Sequence, residues 1–178
     1  MTTNLQSAIS AQLGWTWRDH AGETMIVDSN RQAFSKSLAD GGATSQCDAV
    51  WHAAGQTLAA GESTTFALSA LVQSLFGDTI TIRLAQVKAI LIVNRGTSGY
   101  LLVGGATANE WHAPFGSPGA TVKVMPDSPL LLANARDGWN VGFAYNALKL
   151  AAVGDAVTYD VAILGVLAAS GSSSSAVA

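Results

Sequence analysis

Hydrophobic and polar positions alternate along most of this chain, and a period of two predicts β-strands. The longest such stretch covers residues 78–103 and is rich in β-branched side chains. Residues 79–84 have one apolar and one polar side, whereas residues 89–93 are apolar on both sides. A strand with two apolar sides lies inside a sheet whose two faces are covered. We therefore expect this stretch to be central in the fold.

Two irregularities divide the central stretch. The alternation slips around Ala85 and Gln86, which predicts a β-bulge or a bend. The turn-forming segment 94–99 then interrupts the stretch, and an apolar run restarts at Tyr100. Two alternating runs joined by such a turn predict a β-hairpin.

Shorter alternating segments predict further strands. They cover residues 14–18, 24–27, 34–38, 49–58, 63–68, 121–125, 130–133, 139–145, 148–152 and 157–167. We expect Trp15 and Trp17 to project from one face of the first segment, and segments 49–58 and 63–68 to form a second hairpin. Many short strands separated by turns predict an all-β, antiparallel two-sheet jelly-roll sandwich. An immunoglobulin-like sandwich is the alternative, and it is weakened by the absence of paired cysteines.

Two segments have helical spacing. Leu5, Ile9 and Leu13 recur every four residues, which predicts a short helical arm at the N-terminus. A second short helix is predicted for residues 69–77, which begin with a capping serine and end with a glycine. The predicted organisation is therefore an arm over residues 1–13, a β-sandwich domain over residues 14–168 and a flexible serine-rich tail over residues 169–178.

The composition narrows the classes of partner. Charged residues make up 12% of the 178 residues, against roughly 25% in an ordinary soluble domain. A surface so poor in charge indicates contact with another subunit or a crowded assembly. The net charge of −3 argues against a nucleic-acid partner or an anionic membrane, because both require a basic patch. No apolar run reaches the roughly 18 residues that a membrane-spanning helix needs.

The sequence predicts no catalytic, metal or cofactor site. The histidines His20, His52 and His112 are far apart, and no pair has the His-x-His spacing of metal-binding jelly rolls. No Gly-x-Ser-x-Gly segment is present, and Cys47 lacks an activating neighbour in the sequence. We therefore expect the protein not to be an enzyme. Segment 109–115 is polar and aromatic, and it predicts a loop that could expose a platform for a sugar or a subunit.

Several short segments resemble one group of proteins. They are Asp-x-Val-Trp at 48–51, Leu-Ala-Ala-Gly at 58–61, Phe-Gly-Asp at 76–78, Val-Lys-Ala-Ile at 87–90 with Asn94, and Leu-Leu-Val-Gly-Gly at 101–105, with later segments at 131–134, 138–139 and 159–161. Together they resemble the small jelly-roll virion proteins of tailed bacteriophages, above all the capsid decoration, or cement, proteins. The resemblance covers about two-thirds of the chain and excludes residues 1–46 and the tail.

The resemblance implies a structural protein that is made in the host cytoplasm and binds the outer surface of the phage head. Its partners would be the major capsid protein, whose subunits it would hold together, and other copies of itself, in a homo-oligomer that we expect to be a trimer. The expected contact residues are Leu5, Ile9, Leu13, Trp111, His112 and Phe115. The alternative is a tail-fibre or spike module in which the three residues from segment 109–115 stack on host carbohydrate.

Overall fold

A computed structural model describes residues 4–21, 24–75 and 77–169 of the chain. These residues form thirteen β-strands and no helix. The strands are β1 (Ser7–Ala21), β2 (Thr24–Leu38), β3 (Ala49–Leu58), β4 (Ser63–Ala67), β5 (Leu71–Leu75), β6 (Asp78–Ile82), β7 (Leu84–Asn94), β8 (Tyr100–Gly104), β9 (Thr121–Val124), β10 (Ser128–Ala133), β11 (Trp139–Asn140), β12 (Ala147–Val153) and β13 (Val157–Leu167). The predicted all-β class is confirmed.

Nine of these strands form two antiparallel sheets. The first sheet has the order β10-β7-β13-β3, with the short β11 also paired to β7, and the second has the order β4-β12-β8-β9. Apolar side chains from both sheets join in one buried cluster. Within it Trp51 of β3 and Phe66 of β4 have ring centroids 5.1 Å apart. This arrangement is compatible with a β-sandwich.

Strand β7 occupies the central position that its sequence predicts. It lies between β10 and β13 in the first sheet, with Ile90 and Ile92 buried in the main core. Its pairing with β13 shifts twice, and the residues skipped on β7 are Ala85 and Lys88. The phase slip predicted around Ala85 is therefore a real irregularity of the ladder, and a second one follows three residues later.

Both predicted hairpins are wrong, although their strands exist. β7 and β8 belong to different sheets, and so do β3 and β4. The connection 94–99 carries the chain from one sheet to the other. Asn94 holds this connection in place, because its side-chain amide donates to the carbonyl oxygens of Gly99 and Val124 at 2.9 and 3.1 Å. A turn signal in sequence shows that the chain changes direction, but not which strand it will pair with.

Both predicted helices are also wrong. Residues 7–13 belong to β1, and Leu71 to Leu75 form β5, which pairs with β6 over five residues. The physical reason is a shared periodicity. Positions four apart lie on one face of a helix and, because four is an even number, also on one face of a strand. Residues 1–3 and 170–178 lie outside the described part of the chain.

The predicted strand 139–145 is much shorter in the structure. Only Trp139 and Asn140 pair with β7, opposite Val87 and Gln86. The chain then turns back at Gly142, whose backbone bonds with that of Tyr145. The alternation of apolar residues here belongs to a loop.

Candidate interaction surfaces

Strands β1 and β2 form a long two-stranded ribbon. They pair antiparallel over fifteen residue pairs, from Ser7 opposite Leu38 to Ala21 opposite Thr24. Within the described ranges they pair with no other strand. At about 3.3 Å per residue the ribbon is about 50 Å long. The projecting element therefore spans both strands and is not confined to the predicted arm 1–13.

The register sorts the side chains of the ribbon onto two different faces. Directly opposed residues point to the same side, so the odd-numbered residues of β1 share a face with the even-numbered residues of β2. One side, which we call the apolar ribbon face, carries Ile9, Ala11, Leu13, Trp15, Trp17, Ile26 and Phe34. The opposite side, the polar ribbon face, carries Ser10, Gln12, Thr16, Arg18, Ser29, Arg31 and Ser35, with Met25 and Val27 near the tip.

Most of the apolar ribbon face is open to solvent. Leu13 and Trp17 are each 71% exposed, and Ile26 and Phe34 are more than half exposed. The predicted projection of Trp15 and Trp17 from one face is confirmed by the pairing register. An isolated two-stranded hairpin is at best marginally stable in water, and exposed apolar patches are typical of surfaces that bind other molecules.

The base of the ribbon is anchored to the body of the protein. Ile9 and Leu38 are buried in a small cluster with Cys47 and with Ala89 of β7. This cluster lies on the side of the first sheet that faces away from the main core, because the neighbouring Ile90 points into that core.

The three residues predicted for the arm therefore have different environments. Leu5 is half-buried beside the basal cluster, Ile9 is buried within it, and Leu13 is exposed. Of these three residues, only Leu13 presents its side chain to solvent.

A second surface surrounds an open cavity of about 570 Å³. Its lining includes Trp111, His112, Trp139, Asn140 and Tyr145. Trp139 and His112 are half-buried, and Tyr145 is exposed. The loop between Asn140 and Tyr145 also carries Phe143, which is 98% exposed. We call Phe143, Tyr145 and His112, with the cavity, the aromatic loop surface.

The predicted platform residues do not all lie on this surface. Trp111 is fully buried, and its indole N–H donates to the backbone oxygen of Asn140 at 2.9 Å. Its ring meets those of Phe115 and Trp139 edge to face, at 6.5 and 6.2 Å. Trp111 is therefore a core residue, Phe115 packs half-buried against it, and only His112 of the predicted three lines the open part of the cavity.

The remaining polar residues have structural partners. Both oxygens of the Glu110 carboxylate accept from the N–H of Gly119, and one also accepts from Gly105. The Asp160 carboxylate accepts from the Gly55 N–H and from the Arg95 guanidinium, both at 2.8 Å. These two interactions lower the pKa of Asp160, with the Gly55 bond as the larger cause.

Two further buried groups lie outside the apolar pattern. Lys88 is 1% exposed, and its ammonium donates to the backbone oxygen of Arg136 at 3.0 Å. Burial lowers the pKa of this lysine. Cys47 is a free, buried thiol. In the described ranges no three His, Cys, Asp or Glu side chains come together as a metal site.

Sequence reasoning missed the largest exposed apolar residues. The sequence pattern places Trp17, Ile26 and Phe34 in separate short strands and Phe143 in a longer one. The signal for the ribbon was present, because Leu13, Trp15 and Trp17 alternate in one strand. The register of β1 against β2 was needed to bring Phe34 and Ile26 onto the same face.

Comparisons with protein-family models, with curated proteins and with solved structures gave no match. Among the described residues there is no helix that is long and apolar enough to cross a membrane.

Proposed function

We propose that the chain is a structural virion protein that binds the outer surface of a tailed-phage head and holds neighbouring major capsid subunits together. The observation that carries this proposal is the presence of two separate apolar surfaces on one β-sheet scaffold. A protein that bridges other subunits needs at least two contact surfaces, and the apolar ribbon face and the aromatic loop surface have no residue in common.

The order of the strands supports a jelly roll. Without the short β11, the two main sheets contain eight strands, and in sequence order the first of them lies beside the last and the second beside the next to last. These strands are β3, β4, β7, β8, β9, β10, β12 and β13. This nested order arises when a long hairpin is folded over into two Greek keys, which is the topology of a jelly roll. Jelly rolls are frequent in viral capsid proteins, and this adds fold-level support to the proposal.

The surface chemistry also supports a role in an assembly. Charged residues make up 12% of the chain, so extended contacts with other subunits would desolvate few charges. We propose that the aromatic loop surface, with Phe143 and Tyr145, contacts the capsid, and that the protein acts as a homo-oligomer. Several weak capsid contacts made by linked copies reinforce one another.

The copy number in purified particles tests this proposal. Quantitative mass spectrometry would compare the chain with the major capsid protein in particles of the encoding phage. We expect an abundance close to that of the capsid protein, and we expect Phe143→Ser to reduce it strongly. The matched control is Met125→Ser, which changes another exposed apolar residue. A few copies per particle, or none, would contradict capsid decoration.

The second candidate function is binding of host carbohydrate in a tail fibre or spike. The observation that favours it is the cavity, where Trp139 and Tyr145 offer aromatic rings and Asn140 offers an amide. Aromatic rings beside hydrogen-bonding groups suit a sugar. A glycan array tests it: specific binding that is lost in Tyr145→Ala would support a sugar site, and an array without signal would exclude it for the sugars present.

A further inference from the structure

We propose that the apolar ribbon face is the contact between two copies of this chain, which pack face to face with their ribbons antiparallel. The proposal concerns the ribbon alone and does not depend on capsid decoration. Its starting point is that Leu13, Trp17 and Phe34 lie on one face of the ribbon and are all more than half exposed. The opposite face of the same ribbon is mainly polar.

The charges on the apolar ribbon face favour a second copy of the chain as its binding partner. Lys36 lies near the base of the ribbon, opposite Ile9, whereas Asp28 and Asp19 lie near the tip, opposite Trp17 and Ile26. The Asp28 carboxylate accepts from the indole N–H of Trp15 at 3.2 Å, which keeps it on this face. The face is therefore positive at one end and negative at the other.

An antiparallel pair satisfies this pattern. If the two-fold axis passes near Gly14, Lys36 of each copy meets the tip carboxylates of the other copy. The same alignment places Leu13 of one copy near Trp15 of the other, so the central contact is apolar. A parallel arrangement, including a three-fold bundle, would place each charged residue beside the same residue of the neighbouring copy, and like charges in contact oppose association. A two-fold interface also uses the same patch on both copies.

The open part of the face sets the area of the contact. The base packs on the first sheet, which leaves about 12 residue pairs, about 40 Å by about 10 Å, so a pair would bury about 800 Å², at the low end of protein interfaces. Tryptophan is enriched among residues that dominate binding energy, and this face carries two of them. The contact would also supply the cover that a two-stranded ribbon needs.

The molar mass of the chain in solution, measured by light scattering after size-exclusion chromatography, tests whether two copies pair. At tens of micromolar the wild-type chain should have twice its chain mass of 18.2 kDa. The double variant Leu13→Ser/Trp17→Ser should raise the dissociation constant by at least about 100-fold, since it removes two central apolar side chains. The matched control is Val27→Ser, because Val27 is exposed on the polar ribbon face, and it should leave the mass unchanged.

Charge reversal tests the antiparallel orientation independently of any loss of folding. Lys36→Glu alone and Asp19→Lys/Asp28→Lys alone should each give monomers, because each places like charges at both ends of the pair. Mixing the two variants should restore the pair, since both ends then carry opposite charges. Association recovered by mixing cannot come from unfolded chains.

Four outcomes would overturn the proposal. The first is a wild-type chain that stays monomeric up to about 0.5 mM, because only affinities weaker than those of specific complexes would then remain. The second is a dimer that survives Leu13→Ser/Trp17→Ser. The third is a Lys36→Glu variant that associates like wild type, and the fourth is a mixture of the two charge variants that stays monomeric. A mass of three copies that dissociates directly to monomer in Leu13→Ser/Trp17→Ser would also contradict the two-fold pair.

Discussion

The ribbon and the central strand of the first sheet have the same kind of sequence but opposite surroundings. Strand β7 buries Ile90 and Ile92 almost completely, whereas β1 leaves Leu13 and Trp17 each 71% exposed. Both strands are ordered by backbone pairing, yet only β7 has one face covered along its length by a second sheet, while its other face leaves Leu91 39% exposed. The difference shows that the alternation of apolar and polar residues specifies a strand and its apolar face. It does not specify which part of the protein, or which other molecule, covers that face. Pairs of identical residues, one from the ribbon and one from the body of the protein, test this difference.

The largest difference is expected between two tryptophans. Trp111→Ala should lower the free energy of unfolding by about 3–5 kcal/mol, the usual cost of removing a large buried side chain. Trp17→Ala should change it by less than about 0.5 kcal/mol, as for other exposed positions. Urea denaturation at a concentration that keeps the chain monomeric measures both. Equal losses would show that the ribbon is as tightly packed as the core.

The next pair compares two asparagines. Asn94 is fully buried, and its side chain bonds to three backbone groups, of Gly99, Val124 and Gly96. Asn94→Ala should cost about 2–3 kcal/mol, because it leaves buried backbone groups without partners. Asn30→Ala, on the exposed ribbon, should cost less than about 0.5 kcal/mol. A small effect at Asn94 in urea denaturation would mean that the connection between the sheets is held by other contacts.

A smaller effect of opposite sign is expected for lysine. Burial is the larger influence on the Lys88 charge and the Asp137 carboxylate offsets only part of it, so Lys88→Met should raise the free energy of unfolding by about 1 kcal/mol by removing the desolvation of a charge. Lys36→Met on the ribbon should leave the stability of the monomer unchanged within about 0.5 kcal/mol. Thermal melts of the two variants measure this. A clear loss of stability in Lys88→Met would show that the bond to the Arg136 oxygen outweighs the desolvation.

The smallest effect concerns pH. The pKa of Asp160 is lowered in the folded state by the bond from Gly55 and by Arg95. Its contribution to stability is therefore present above the unfolded-state value of about 3.9 and is lost as the pH falls through the lower folded-state value. Asp160→Asn should make the melting temperature less dependent on pH below about pH 4. A variant whose acid profile matches wild type would contradict this role.

The sequence predicted the strands better than their partners. Strand β13 has the predicted bounds, the slip near Ala85 exists, and β7 is central. The sequence does not predict that β4 and β8 belong to the second sheet. That membership depends on contacts between residues distant in sequence, such as the bond from Asn94 to the Val124 oxygen in the second sheet. The helical spacing of Leu5, Ile9 and Leu13 failed because a strand places positions four apart on one face as well.

The candidate surfaces were predictable only in part. Leu13 is exposed and His112 is half-buried, but the loop that contains Trp111 folds inward, where the indole N–H bonds to Asn140. The sequence of a polar and aromatic segment does not show whether its aromatic side chains or its backbone face solvent. Phe143 was missed because its alternation with Val141 and Tyr145 is typical of a strand, although these residues form a loop.

Hydrogen exchange at two protein concentrations tests the central claim, that the ribbon is an association surface on a body that is stable by itself. Amides of β7, β12 and β13 should exchange slowly at both concentrations. Amides in the outer half of β1 and β2 should be protected at hundreds of micromolar and should exchange rapidly when dilution gives monomers, because the uncovered ribbon opens easily. Ribbon amides that stay equally protected on dilution would contradict the account.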